Sequence, residues 1–244
     1  MHLVDRIRTK VLDDWALHLD ALTWNRYRQV EPFLIRGPID SLNIGTGGGV
    51  ETVRLIRRGN HVTTIEISNE TASKTRARVV RAGFGERHEG LVGHVMSVDL
   101  KRKFHPILIG EVLEHISDDK GTLARIADWL LPGGRLVLTT PTASFGQLPG
   151  DTQSLVEDGG HVRVGYDGPE LDQMLLDVGL KPIRRVFNSN AIVAYNHVLE
   201  RALRRYAPIR PVGIGFSIMS RLTMPIADLV SLRDTDQITI AVKI

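Results

Sequence analysis

The stretch Leu42-Asn43-Ile44-Gly45-Thr46-Gly47-Gly48-Gly49-Val50 runs a short apolar segment into three alternate glycines, Gly45, Gly47 and Gly49. A strand ending this way brings bare backbone to a ligand. Glycine has no Cβ, tolerates positive φ and lets a ligand lie against the main chain, and the helix expected from Val50 would offer unpaired N–H groups. Glu66 follows seventeen positions after Gly49, at the end of the apolar run His61–Ile65. An acid there can accept hydrogen bonds from both hydroxyls of a ribose, so loop and carboxylate together predict a nucleotide-like ligand. A dinucleotide is disfavoured because its GxGxxG fingerprint needs a third glycine where Val50 stands.

The chain has 244 residues, 42% of them apolar, which suits one large α/β domain with an elaboration. No segment approaches the ~20 uncharged apolar residues of a membrane span. The N-terminal MHLVDRIRTKVLDDW mixes both signs of charge and lacks an apolar signal core, so a cytoplasmic protein is expected. Zero cysteines exclude disulfides, thiolate catalysis and thiolate metal sites, and no metal-ligand set is assigned. A net charge of +3 disfavours nucleic acid as a partner.

Residues 1–38 read as a helical arm, with Val11, Trp15, Leu19 and Leu22 and then Trp24, Tyr27, Val30 and Phe33 at helical spacing, closed by Gly37-Pro38. Residues 39–244 read as the main domain. Strands are expected at 40–45, 61–67, 91–96, 106–110 and 134–140, alternating with helices at 48–58, 69–82 and 118–130. Such alternation predicts a parallel sheet covered on both faces. Ser68 and Asp118 stand where helix caps belong. Beyond a polar loop to Gly160, a helix at 169–178, a strand at 183–187, a helix at 191–206 and a last strand at 237–243 are expected. Residues 190–234 then form a helical insertion between two antiparallel edge strands.

Two further segments, Ile109-Gly-Glu-Val-Leu-Glu-His-Ile-Ser-Asp118 and Leu130-Leu-Pro-Gly-Gly-Arg-Leu-Val-Leu-Thr-Thr-Pro141, follow the glycine loop in order. With them the chain resembles the class I S-adenosylmethionine-dependent methyltransferases over nearly its whole length, nearest the branch acting on small molecules, quinones and glycans. The resemblance implies a Rossmann-like α/β fold, a seven-stranded sheet of order 3-2-1-4-5-7-6 with strand seven antiparallel. It further implies S-adenosylmethionine as methyl donor and S-adenosylhomocysteine as product. Asn43, Gly45, Thr46, Gly47 and Gly49 would face the methionine and ribose, Glu66 would hold the ribose hydroxyls, and Gly110 and Glu111 would line the methionine side. Ile67 and His94, Val95 and Met96 would flank the adenine, and Arg26, Tyr27 or Arg28 would reach the donor carboxylate. The chain departs from the family pattern at Asn43, His94 and His105, where acids are usual.

A hydroxyl acceptor benefits from a base in hydrogen-bond reach, and histidine suits neutral pH. His161, on the loop past the fifth strand, is the candidate catalytic residue, while His115 reads as bonding a backbone carbonyl. The stripe Ile192, Tyr195, Val198, Leu199, Ala202, backed by Arg201, Arg204 and Arg205, reads as a lid with the option of peripheral membrane contact. The expected activity is O-methylation of a small molecule or of a lipid- or glycan-linked acceptor. The alternatives are an RNA or protein methyltransferase, and a donor-binding protein without catalysis.

Overall fold

Strands of four to seven residues form the parallel half of one sheet: β1 (Asp40–Ile44), β2 (His61–Glu66), β3 (His88–Val92), β4 (Ile107–Gly110) and β5 (Arg135–Pro141). The computed structural model describes residues 21–144, 153–154, 156–157, 159–187, 196–200, 203, 218–222 and 235–244. Adding β6 (Leu180–Phe187) and β7 (Asp236–Lys243), the sheet runs β3-β2-β1-β4-β5-β7-β6. β7 pairs antiparallel with both β5 and β6. This is the order and polarity that the family resemblance implies.

Among the described residues, the helices α1 (Ala21–Val30), α2 (Val50–Arg57), α3 (Asn69–Arg81), α4 (Asp119–Trp129) and α5 (Gly168–Asp177) accompany the strands. The expected caps hold two of them. Ser68 Oγ accepts from the Thr71 N–H at 3.2 Å, and Asp118 Oδ1 from the Gly121 N–H at 2.9 Å. Successive residues of β4 serve opposite layers, because strand side chains alternate. Ile107 and Ile109 pack with Leu123, Ile126, Leu171 and Leu175, while Leu108 packs with Val53, Ile56, Val79 and Ile240.

Two boundaries differ from expectation. β3 lies at His88–Val92, not 91–96, and Val95 is buried from the turn beyond the strand. β6 begins at Leu180, three residues before the expected start, with Pro182 next to a register shift. An edge strand tolerates proline at such an irregularity. The arm is described from residue 21, so Trp15 lies outside the described residues. So does most of the 190–234 insertion, of which 196–200, 203 and 218–222 are helical. Among the described residues no helix is long and apolar enough to cross a membrane.

Candidate functional site

The carboxyl ends of β1, β2 and β4 open into a cavity of about 560 Å³, closed on one side by α1. In open α/β sheets a ligand crevice forms at this edge. Gly45, Gly47 and Gly49 all have positive φ, at +72°, +49° and +73°. A Cβ on Gly45 would stand 2.0 Å from Val112 Cγ2, so the loop depends on glycine there for space as well as for conformation. Gly49 ends the loop as the N-cap of α2. Glu66 is 8% exposed and ties the loop to β2: its Oε2 accepts from the Thr46 N–H at 3.0 Å and the Thr46 hydroxyl at 3.1 Å. Its Oε1 accepts from the Ser68 N–H at 3.1 Å, and Thr75 donates to Thr46 Oγ1 at 3.0 Å. Two donors on one oxygen and one on the other leave lone-pair capacity directed at the cavity.

The other end of the cavity is charged. Arg26, from α1, pairs with Glu111 at 3.0 Å and with Asp236, the first residue of β7, at 2.9 Å. Glu111 has φ +52°, the one non-glycine positive φ among the described residues. That conformation is costly for glutamate and is held by the surrounding structure, including the bond from the Glu111 N–H to the Thr139 carbonyl at 3.1 Å. Burial pushes the Glu111 carboxyl up to about 7 against the opposing pull of Arg26, and burial pushes Glu51 up to about 7 as well. Arg26 Nε and Glu111 Oε1 are buried with no hydrogen-bond partner among the described residues.

At the rim, His115 Nδ1 meets the Gly160 carbonyl at 2.9 Å. A carbonyl only accepts, so Nδ1 carries the proton in the neutral ring and Nε2 keeps a lone pair. Nε2 lies 3.7 Å from Oε1 of Glu114, a fully buried carboxyl whose pKa burial raises well above the usual range. The His161 ring stands edge-on to His115 with centroids 4.6 Å apart. Glu114, His115 and His161 bring one ligand atom each within 4.8 Å of one another, a set able to hold a cation and unforeseen in the sequence. Across the mouth, Glu157 Oε2 lies 3.1 Å from His94 Nε2, and its Oε1 accepts from the Ser117 N–H at 2.6 Å.

Of the residues singled out from the sequence, Arg26, Gly45, Gly47, Glu66, Ile67, His94, Val95, Gly110 and Glu111 line this one cavity. Asn43, Thr46, Gly49, Met96 and His161 are not among its lining residues. Asn43 is buried behind the loop and donates to Thr52 Oγ1 at 3.0 Å. The Met96 N–H donates to His94 Nδ1 at 3.2 Å, and His105 Nδ1 accepts from the Arg135 N–H at 3.0 Å, a turn-fastening role. Arg28 points elsewhere, lining a second concavity. Glu51 and Thr139 line the site without having been foreseen. Glu51 in a helix first turn reads from sequence as a solvated, dipole-complementing acid, and no local signal betrays its burial.

Known proteins resemble the chain at several levels. The ubiquinone biosynthesis O-methyltransferase of Aeromonas salmonicida is 29% identical over 99 residues, 41% of this chain and 42% of that protein. The chain thus spans less than half the length of the curated relatives it matches. Among solved structures, the [4+2]-cyclase SpnF matches with a TM-score of 0.65 at 17% identity over 90% of this chain and 81% of its own. The N-methyltransferase NodS from Bradyrhizobium japonicum, solved with S-adenosylhomocysteine, matches with a TM-score of 0.57 at 14% identity, covering 88% and 86%. At such identities the structures attest the fold. The family follows from the sequence itself, since the methyltransferase-domain model matches residues 20–184, two thirds of its length, and the chain belongs to that family.

Proposed function

We propose that the protein transfers a methyl group from S-adenosylmethionine to a hydroxyl of a small-molecule acceptor. The observation that carries this reading is the pairing of two recognition ends in one cavity. Glu66 and the glycine loop suit a ribose at one end; at the other, Arg26 and Glu111 line the wall, and among the described residues Arg26 Nε and Glu111 Oε1 are a buried donor and a buried acceptor without hydrogen-bond partners. An amino-acid tail carries a carboxylate and an ammonium, which would satisfy both. The fit is chemical: a buried unpartnered polar group costs free energy that a complementary ligand removes. Asn43, although behind the loop, supports the same site through its bond to Thr52 in the first turn of α2.

Bound there, S-adenosylmethionine supplies a methyl on a positively charged sulfur, which departs with the C–S electron pair as the acceptor oxygen forms its C–O bond. The chain's own residues hold the donor in line and exclude water, an orientation effect that can be worth roughly 7–11 kcal/mol. The acceptor's proton goes to His115 Nε2, the lone-pair nitrogen of the rim, with the Glu114 carboxyl beside it. His161, against which His115 packs, orients that ring. This reassigns the base from the expected His161 to its neighbour. The rim histidines and the similarity to ubiquinone O-methyltransferases favour a hydroxyl acceptor, free or carried on a lipid or glycan.

Calorimetric titration with S-adenosylmethionine and S-adenosylhomocysteine, followed by turnover on phenolic, catecholic and sugar hydroxyls, tests the reading. Absence of binding at millimolar ligand sinks it. Binding without turnover on every acceptor supports a donor-binding protein instead, and turnover on RNA or protein alone moves the acceptor class. A second reading of the rim rests on the Glu114, His115 and His161 cluster, where a divalent cation would polarise the acceptor hydroxyl. Turnover that survives chelation leaves deprotonation to His115. Turnover lost to chelator and restored by a divalent cation assigns it to the cluster.

A further inference from the structure

The donor cavity follows the carboxyl edge of the sheet, and the strand order spaces its parts. Glu111 stands past the end of β4, the glycine loop past β1, Glu66 at the end of β2, and Gly93 and His94 past β3. Neighbouring strands lie about 4.8 Å apart, so roughly 14 Å separate the Glu111 end from the β3 end. The Gly93 N–H donates to the Glu66 carbonyl at 2.9 Å, which keeps the turn after β3 beside that acid. Ile67, Val95 and Ile116 give apolar wall there, and among the described lining residues His94 and Glu157 add polar side chains. The Met96 N–H donates to His94 Nδ1 at 3.2 Å, so in the neutral ring Nε2 carries the proton. Nε2 lies 3.1 Å from Glu157 Oε2, and Glu157 Oε1 accepts from the Ser117 N–H at 2.6 Å. These contacts hold the carboxylate across the mouth, between the turn after β3 and the segment after β4. A carboxylate has about four lone-pair sites, so two such neighbours leave it capacity to accept from a ligand.

We infer that Glu157 selects the base of the methyl donor by accepting a hydrogen bond from the exocyclic amine of its adenine, an inference that rests on the S-adenosylmethionine reading of this cavity. With the amino-acid tail at Arg26 and Glu111 and the ribose at Glu66, the base falls at the β3 end. A flat ring suits the wall of Ile67, Val95 and Ile116, and its amine, taken out of water, needs an acceptor. His94 does not serve, because Nδ1 is occupied by the Met96 N–H and Nε2 is a donor. Of the other carboxylates in the lining, Glu66 is bonded to the glycine loop, and Glu51 and Glu111 both feel the charge of Arg26 at the opposite end. Glu157 is the carboxylate left at the base end among the described lining residues. The group that reads the base thus comes from the segment past β5, not from the sheet edge that carries the rest of the site.

The test titrates the full chain calorimetrically with S-adenosylhomocysteine and with its analogue that carries hydrogen in place of the adenine amine. The parent should bind S-adenosylhomocysteine about tenfold more tightly, the worth of one hydrogen bond to a charged acceptor. Glu157→Ala, at an exposed position, should bring the two ligands within about threefold of each other, with circular dichroism unchanged. Glu157→Gln keeps an acceptor oxygen and should retain part of the preference. A carboxylate that only fastened the mouth would, on removal, weaken both ligands alike and leave their ratio as in the parent. That unchanged ratio overturns the inference, as does a parent that binds the two ligands equally. Should Glu157→Ala bind neither ligand, the ratio in Glu157→Gln decides: a smaller preference than the parent's supports the inference, and an equal one overturns it. A parent that binds neither ligand at millimolar concentration sinks the donor reading itself, so the two failures are told apart.

Discussion

Glu66 holds the glycine loop closed with one part of its carboxylate and faces the cavity with another. Its bonds to the Thr46 N–H and hydroxyl fix the loop before any ligand arrives, and the remaining lone pairs are what a ribose would use. Glu66→Ala removes both functions. Each charge-assisted bond is worth about 1.5–3 kcal/mol, so affinity for S-adenosylhomocysteine should fall at least about tenfold by calorimetry. Glu66→Asp, which keeps the charge but shortens the reach, should fall between. The place of Glu66 in the cavity wall was legible because an acid at a strand end after a glycine loop stands where such a cavity opens. That of His115 was half legible: its bond to a backbone carbonyl was anticipated, whereas its place in the cavity wall came from the Gly160 segment folding back over it. Asn43 is the reverse case. At the strand end it reads as a ligand contact, yet its side chain turns into the structure toward Thr52.

Elements add constraints that single residues do not reveal. The turn from β1 to α2 works only if Gly45 stays bare, because an added Cβ meets Val112 Cγ2 at 2.0 Å in a left-handed backbone. Gly48, three residues along the chain, has nothing within 4 Å of an added Cβ and no positive φ. Gly45→Ala should therefore destabilise by roughly 1–3 kcal/mol, a drop of several degrees in melting temperature, while Gly48→Ala melts near the parent. Equal melting of the two would refute the steric account. A second element, the segment ending at Tyr166, fastens the rim: the fully buried Tyr166 hydroxyl lies 3.1 Å from both the Leu113 carbonyl and Asp119 Oδ2. Tyr166→Phe should cost about 0.5–1.5 kcal/mol in urea unfolding. Strand and helix alternation was legible because buried parallel strands are short unbroken apolar runs. The misplaced β3 shows where that signal fails. His88–Val92 is a largely exposed edge strand with only His88 buried, and the more apolar Leu91–Met96 run drew the boundary forward although Val95 belongs to the following turn.

Across the whole molecule, the charged end of the cavity is assembled from parts that no local pattern connects. Arg26 comes from α1, Glu51 from α2, Glu111 from the end of β4 and Asp236 from β7, and the Arg26 to Asp236 bond spans 210 positions. Sequence periodicity reports neighbours within an element, so this cluster was invisible until the sheet closed. Its consequence is a pH dependence that can be isolated. Burial raises Glu51 to about 7, while in the unfolded chain it titrates near its ordinary value of 4.5. Below that ordinary value both states are protonated. Between it and about 7 the unfolded state has given up a proton that the folded state keeps, so rising pH favours unfolding. Above about 7 both are ionised and the effect levels off. The slope for one such group is at most about 1.4 kcal/mol per pH unit. His88 and His105, which burial lowers, act with the opposite sign in the more acid range, so the absolute profile mixes contributions. Comparison with Glu51→Gln cancels them. The variant should gain on the parent by on the order of a few kcal/mol between pH 5 and pH 7.5 in denaturant unfolding. A constant difference across that range would mean that Glu51 ionises as freely in the folded protein as in the unfolded chain, and that the buried carboxyl cluster does not exist as described.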